Sequence, residues 1–207
     1  MVFVSAHPPA DVRRLILETG QRLIAGKGFS AVGLNEILTA AGVPKGSFYH
    51  YFSSKDGYGQ ALLENYFEEY LADLDESLGR PGTMAERLMN YWRHWQETQS
   101  YLDYQGKCLA VKLGAEVADL SEAMRLVLDR GTSAVIDRLR QAVIAGMSEG
   151  SLAIDDDPQD VARGLYQLWL GASVMAKIGR DTQPFQTATM TTRQVLHLSP
   201  DRGPDSH

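Results

Sequence analysis

A single cysteine, Cys108, stands in the run Gly106-Lys107-Cys108-Leu109, with Lys112 four residues further along. The thiolate is the reactive form of cysteine, and helix N-termini and neighbouring cations favour it. A helix is expected over about 107–117, which places the sulfur at a helix start beside two ammonium groups. The chemistry open to it is covalent, either alkylation by an electrophile or oxidation. The commoner fate of a lone cysteine is burial as an inert side chain, and one copy cannot form an internal disulfide. Catalysis is a poor fit. A nucleophile needs a base within hydrogen-bond reach, and His7, His50, His94, His197 and His207 show no spacing that supplies one. Neither a phosphate-binding glycine loop nor a metal-ligand cluster is recognisable, so no enzymatic activity, metal or cofactor is expected.

The second constellation is Pro44-Lys45-Gly46-Ser47-Phe48-Tyr49-His50. A helix over 44–50 is too short to be a good core element, and it carries Lys45, Ser47, Tyr49 and His50 beside a glycine. Such a helix offers donors and aromatic edges to a groove. Phe48, and Phe52 beyond it, read as core, the usual place of an aromatic on the inner face of a small helical unit.

These residues need elements to hold them. Apolar residues recur at helical spacing along the chain, without convincing period-two alternation, so the fold is expected to be all-α. Helices are expected over about 11–25, 34–41, 44–50, 55–78, 84–100, 107–117, 122–148, 158–178 and 184–198. The 34–41 and 44–50 helices, joined by a turn at Gly42, follow a longer amphipathic helix, which is the order of a helix-turn-helix. In the 158–178 helix, Val161, Leu165, Leu168, Ala172 and Met175 fall on one apolar stripe. Asp157-Pro158 is its start signal. Residues 1–55 are expected to form the domain that carries this helix-turn-helix, 56–198 a larger helical domain, and 199–207 a disordered tail.

A net charge of −6 argues against nucleic acid only until its distribution is considered. Residues 1–57 hold six Lys or Arg against four Asp or Glu, a balance of +2, whereas the remainder holds 14 against 22, a balance of −8. That split suits a DNA-facing end on an acidic body. No run of 18 uncharged apolar residues and no leader pattern is present, so a cytoplasmic protein without a membrane partner is expected.

The run GFSAVGLNEILTAAGVPKGSFYHYFSSKDGYGQALL, residues 28–63, resembles the N-terminal segment of the tetracycline-repressor (TetR/AcrR) family of transcriptional regulators. Gly33 and Pro44 depart from that pattern, which commonly has a capping Ser or Thr and a Ser there; both suit helix starts. The resemblance implies a homodimer on double-stranded operator DNA, paired through its last two helices as a four-helix bundle, with 1–55 as the DNA-binding domain and 56–198 as the dimerisation and effector-sensing domain. It implies Lys45, Gly46, Ser47, Tyr49 and His50 against the major groove, with Tyr51 and Lys55 on flanking phosphates. Of these, Lys45, Tyr49, Tyr51 and Lys55 suit phosphate contact, and Ser47 and His50 suit base reading.

The segments GKCLAVKLGAEVADLSEAMR and LWLGASVMAKI resemble a narrower branch that holds the N-ethylmaleimide-responsive repressors and the acrylate-responsive regulators. That likeness implies Cys108 as sensor, Lys177 as its associated lysine, and release of DNA when a reactive electrophile or oxidant modifies the thiol. The alternative is a repressor of the same fold induced by a reversibly bound small ligand, with Cys108 structural only. Trp92, Trp95, Tyr101, Tyr104, Tyr166 and Trp169 are aromatic candidates for a ligand pocket or for core.

If Lys45 contacts phosphate, Lys45→Ala weakens binding to every DNA sequence and flattens the plot of log affinity against log salt by about one unit. An unchanged slope in a salt titration rules out that contact.

Overall fold

Gly28, Gly42 and Gly150 take positive φ values of 94°, 65° and 79°, each just past the end of a helix. The computed structural model describes residues 9–99 and 108–198. Among the described residues there are nine helices and no strand: α1 Pro9–Lys27, α2 Leu34–Ala41, α3 Lys45–Tyr51, α4 Lys55–Gly79, α5 Met84–Gln99, α6 Leu109–Ala118, α7 Glu122–Ser148, α8 Pro158–Gly179 and α9 Gln183–Val195. The all-α expectation holds. The expected tail 199–207 and Tyr104 lie outside the described residues.

Several boundaries differ from expectation, each for a local reason. Helix α1 runs through Gly26 and stops at Gly28, whose N–H still donates to the Ile24 carbonyl at 2.8 Å. Pro44, expected as the first helical residue, is the N-cap of α3 with extended ψ of 147°. Helix α6 starts at Leu109 with Cys108 as its N-cap. Helix α9 closes at Val195, and His197 beyond it takes a φ of 51°. At α8 the expected start signal is in place, the Asp157 side chain accepting the Gln159 N–H at 2.7 Å.

Contacts divide the chain into two compact units. One takes residues up to 69 together with 107–131, and thus α1 to α3, the first part of α4, α6 and the start of α7. Its core holds Ile16, Leu17, Ile24, Ile37, Phe48, Tyr58, Leu62, Leu113 and Val117.

The other unit takes the end of α4, α5, most of α7, α8 and α9. At its centre Trp92 stacks on Trp169 at 5.0 Å with 11° between planes. The polar edges of two tryptophans are satisfied within the helices. Trp169 Nε1 donates to Thr192 Oγ1 at 2.9 Å, and Trp95 Nε1 donates to Ser173 Oγ at 2.9 Å. Each hydroxyl in turn donates to a carbonyl four residues back, Ala188 and Trp169 respectively. On α8 Leu165, Trp169, Ala172 and Ala176 are buried, whereas Met175, on the same apolar stripe of the sequence as Leu165 and Ala172, is 56% exposed.

Thr192→Val removes the acceptor of the buried Trp169 N–H. It should destabilise the fold by about 1–3 kcal/mol, the cost of stranding a buried donor. Urea unfolding will read this as a lower midpoint at constant slope.

Candidate nucleic-acid interface and thiol site

Helix α2 ends because Gly42 enters the left-handed region, where its N–H donates to the Thr39 carbonyl at 3.2 Å and the Val43 N–H donates to Leu38 at 3.0 Å. Extended Pro44 then redirects the chain into α3. Seven residues cannot sustain a helix alone, and α3 is held by Phe48 and Phe52, one turn apart and both buried. Their rings lie 5.1 Å apart and meet Tyr58 of α4 at 5.6 and 5.1 Å. Tyr58 Oη donates to the Ile16 carbonyl at 3.2 Å, in space kept by Gly20: a Cβ there would stand 1.7 Å from that oxygen. Burial pushes the Tyr58 phenol above its ordinary pKa.

With Phe48 and Phe52 inward, Lys45, Gly46, Tyr49 and His50 form the opposite, exposed face. Ser47 and Tyr51 flank it half-buried, and Tyr51 meets the His50 ring edge-on at 4.8 Å. Lys45 forms no ion pair among the described residues. A Cβ at Gly46 would meet nothing within 4 Å, so packing inside the protein does not require glycine there. Beside this face, a concavity of about 490 Å³ is lined by Asn35, Leu38, Thr39, Gly42, Val43 and Lys45. Asn35 and Thr39 are exposed one turn apart on α2, a position that only the packing of Ile37 and Leu38 discloses. Lys55 is engaged within the protein. Its Nζ donates to the Phe29 carbonyl at 3.0 Å and sits 4.8 Å from the Phe29 ring centroid.

Cys108 differs from the expectation of an activated thiolate. It is 4% exposed, and Tyr66 Oη of α4 donates to its Sγ at 3.3 Å. Burial pushes the thiol pKa up, against the lowering effect of hydrogen bonds from Tyr66 and from the Val111 and Ala110 backbone. The expected support from Lys112 is not made, because its Nζ donates to the Gly26 carbonyl at 3.3 Å. Lys177 is exposed in the last turn of α8, in the other unit. Tyr166 and Trp169 are buried among aromatic neighbours, Tyr166 edge-on to Trp95 at 5.9 Å.

An exposed, polar third helix seated on a buried aromatic cluster is the geometry of a DNA-reading helix-turn-helix. Residues 16–58 match the profile of bacterial regulatory proteins of the tetR family, and residues 84–192 match the tetracyclin repressor-like C-terminal domain. The chain belongs to the TetR family. Among TetR-family relatives, the HTH-type transcriptional repressor NemR of Escherichia coli is 40% identical over 93% of this chain and 98% of its own length. The transcriptional regulator AcuR of Cereibacter sphaeroides is 34% identical over 85% of this chain and 81% of its own. The crystal structure of the reduced form of E. coli NemR superposes with a TM-score of 0.87 at 40% identity, covering 92% of this chain and 100% of that one. No helix among the described residues is long and apolar enough to cross a membrane.

Gly46→Ala separates the two duties of α3. Melting temperature should hold or rise, since alanine is favoured over glycine in helices by about 0.5–1 kcal/mol. Affinity for DNA should fall by about tenfold, ~1.4 kcal/mol, as the methyl group meets the groove wall. A variant that binds DNA like the parent removes Gly46 from the interface.

Proposed function

We propose that this chain is a homodimeric repressor that leaves its operator when a reactive electrophile or oxidant modifies Cys108. The observation that carries the DNA-binding part is the outward face of Lys45, Gly46, Tyr49 and His50, with open space at Gly46. On this reading Lys45 and Tyr49 contact phosphate, His50 and the flanking Ser47 read bases, and Tyr51 takes a bordering phosphate. Lys55 instead braces the unit through Phe29. Residues 1–55 serve as the DNA-binding domain, and 56–198 carry pairing and signal.

Pairing is supported by α8. Gly164, Leu168, Gly171, Met175 and Ile178 recur at alternating steps of four and three, and a Cβ at either glycine meets nothing within 4 Å. With Met175 56% and Ile178 71% exposed, and Met190 of α9 at 59%, this face suits a second copy of the chain. A twofold dimer would present its two α3 helices to successive grooves about 34 Å apart.

Signal reception is supported by the position of Cys108 and by the resemblance to electrophile-responsive repressors. Conjugate addition to an unsaturated carbonyl forms a sulfur–carbon bond, opens the carbon–carbon double bond and leaves the thiol proton on the α-carbon. Lys177 is assigned as the accompanying lysine on that resemblance. Because burial holds the thiol protonated, addition proceeds through transient opening and accelerates as pH rises toward the elevated thiol pKa.

A second reading draws on the same burial. A thiol 4% exposed and bonded to Tyr66 suits a structural role, with a reversibly bound ligand as inducer. DNA selected from a random pool by the wild type, with and without an enal or quinone, decides between them. Cys108→Ser should keep operator binding and lose release, and mass spectrometry should find the adduct on Cys108. Normal release from the Ser variant, without adduct, establishes the reversible ligand instead.

A further inference from the structure

Two side chains of α6 reach the segment that joins α1 to α2. Glu116 accepts the Phe29 N–H on Oε2 at 3.1 Å and the Ser30 N–H on Oε1 at 2.7 Å. Lys112 donates to the Gly26 carbonyl at 3.3 Å. Cys108, Lys112 and Glu116 recur every four residues, along one strip of α6 that spans about 12 Å at 1.5 Å rise per residue.

The joining segment depends on these bonds. Gly28 closes α1, leaving the Phe29 and Ser30 amides beyond the helical ladder, and backbone donors at such a site need partners. The φ of 94° at Gly28 favours glycine, and a Cβ there would stand 2.9 Å from Glu116 Oε2, so the end of that side chain would have to shift. Phe29, the next residue, is where other helices converge. Its carbonyl accepts Lys55 of α4 at 3.0 Å, and a Cβ at Gly59 would lie 2.8 Å from its ring and 2.4 Å from Met124 Sδ of α7. Burial pushes the Glu116 carboxyl up, but the bonds from Ser30 and Phe29 and the charge of Lys112 outweigh it, so it stays ionised to lower pH than usual.

We propose that Glu116 is a positioning residue for DNA binding, whose carboxylate ties α6 to Phe29 and Ser30 and so sets how α1 hands the chain to α2 and α3. A displacement of α6 at Cys108 is passed to the helix-turn-helix through this clamp. The clamp's input rests on thiol sensing as proposed above; its effect on DNA affinity does not.

The test uses full-length Glu116→Ala and Glu116→Gln with DNA selected by the wild type, at a temperature well below each variant's melting point. Glu116→Ala should lower affinity by about tenfold, inside the 5–150-fold range of typical couplings, and speed hydrogen exchange at the Phe29 and Ser30 amides. Glu116→Gln keeps a carbonyl acceptor and should recover part of both. Wild-type affinity in Glu116→Ala, or a loss no larger than its unfolded fraction, overturns the proposal.

Alkylating wild-type Cys108 with an enal gives the second arm. Faster exchange at both amides supports the clamp. Release of DNA with their exchange unchanged overturns it and leaves thiol sensing standing. Retained DNA binding after alkylation counts against thiol sensing alone, and the Glu116 variants then decide the clamp.

Discussion

Helix α3 has seven residues, and nucleating a helix costs more than its few internal hydrogen bonds return. What keeps it in place is the insertion of Phe48 and Phe52 against Tyr58. Each aromatic contributes about 1.5–3 kcal/mol on burial, enough to order one short helix and not much more. Their spacing of four fixes the rotation of α3, and with it the exposure of Lys45, Gly46, Tyr49 and His50. The outward residues are therefore oriented by the buried cluster, which Tyr49 itself meets edge-on at Phe48, 5.4 Å between ring centroids. Tyr58 extends the constraint to α1 through the Ile16 carbonyl and the space over Gly20.

For the sensing role proposed above, burial of Cys108 is at first sight a defect, since it raises the thiol pKa and slows reaction. An exposed thiolate would react sooner, but its adduct would extend into water and push on nothing. Protein interiors are packed to a density of about 0.75, so added atoms at a site 4% exposed must move neighbours. Overpacking costs about 1–3 kcal/mol, comparable to the differential free energy that shifts a two-state protein. Slow reaction and effective transmission have the same physical origin. Tyr66, whose hydroxyl bonds the sulfur from α4, stands beside the atom on which such an adduct would form.

Much of the fold was legible because helix ends are local events. Asp157-Pro158 and Gly42 mark the start of α8 and the end of α2 by chemistry confined to a few residues. Where two glycines competed, as at 26 and 28, local pattern chose the earlier one, and the carboxylate of Glu116 beside Gly28 shows what local pattern omits. The exposed face of α3 was legible from its polar residues. Whether Cys108 is buried or activated stays open in the sequence, because Tyr66, the residue bonded to it, is 42 positions away. Lys112 and Lys55 read as free cations near a thiol and a phosphate, yet both donate to carbonyls of residues distant in sequence. Met175 shares an apolar stripe with Leu165 and Ala172, and periodicity alone cannot tell which of its members lie inside and which await another surface.

The division of the chain by family profile and its division by contact do not coincide, and the difference bears on mechanism. The C-terminal profile covers 84–192 and so includes α6, yet by contact α6 and the start of α7 fall in the unit that holds α1 to α3. The lone cysteine and the DNA-facing helix thus share one compact unit. A signal arising at Cys108 has no second core to cross before it meets α1 and α4. The remaining path is short and made of groups with directional bonds: a thiol held by Tyr66, a lysine on the Gly26 carbonyl, and a carboxylate on two backbone N–H groups. Hydrogen bonds weaken steeply with misalignment, so a rotation of α6 would weaken them together.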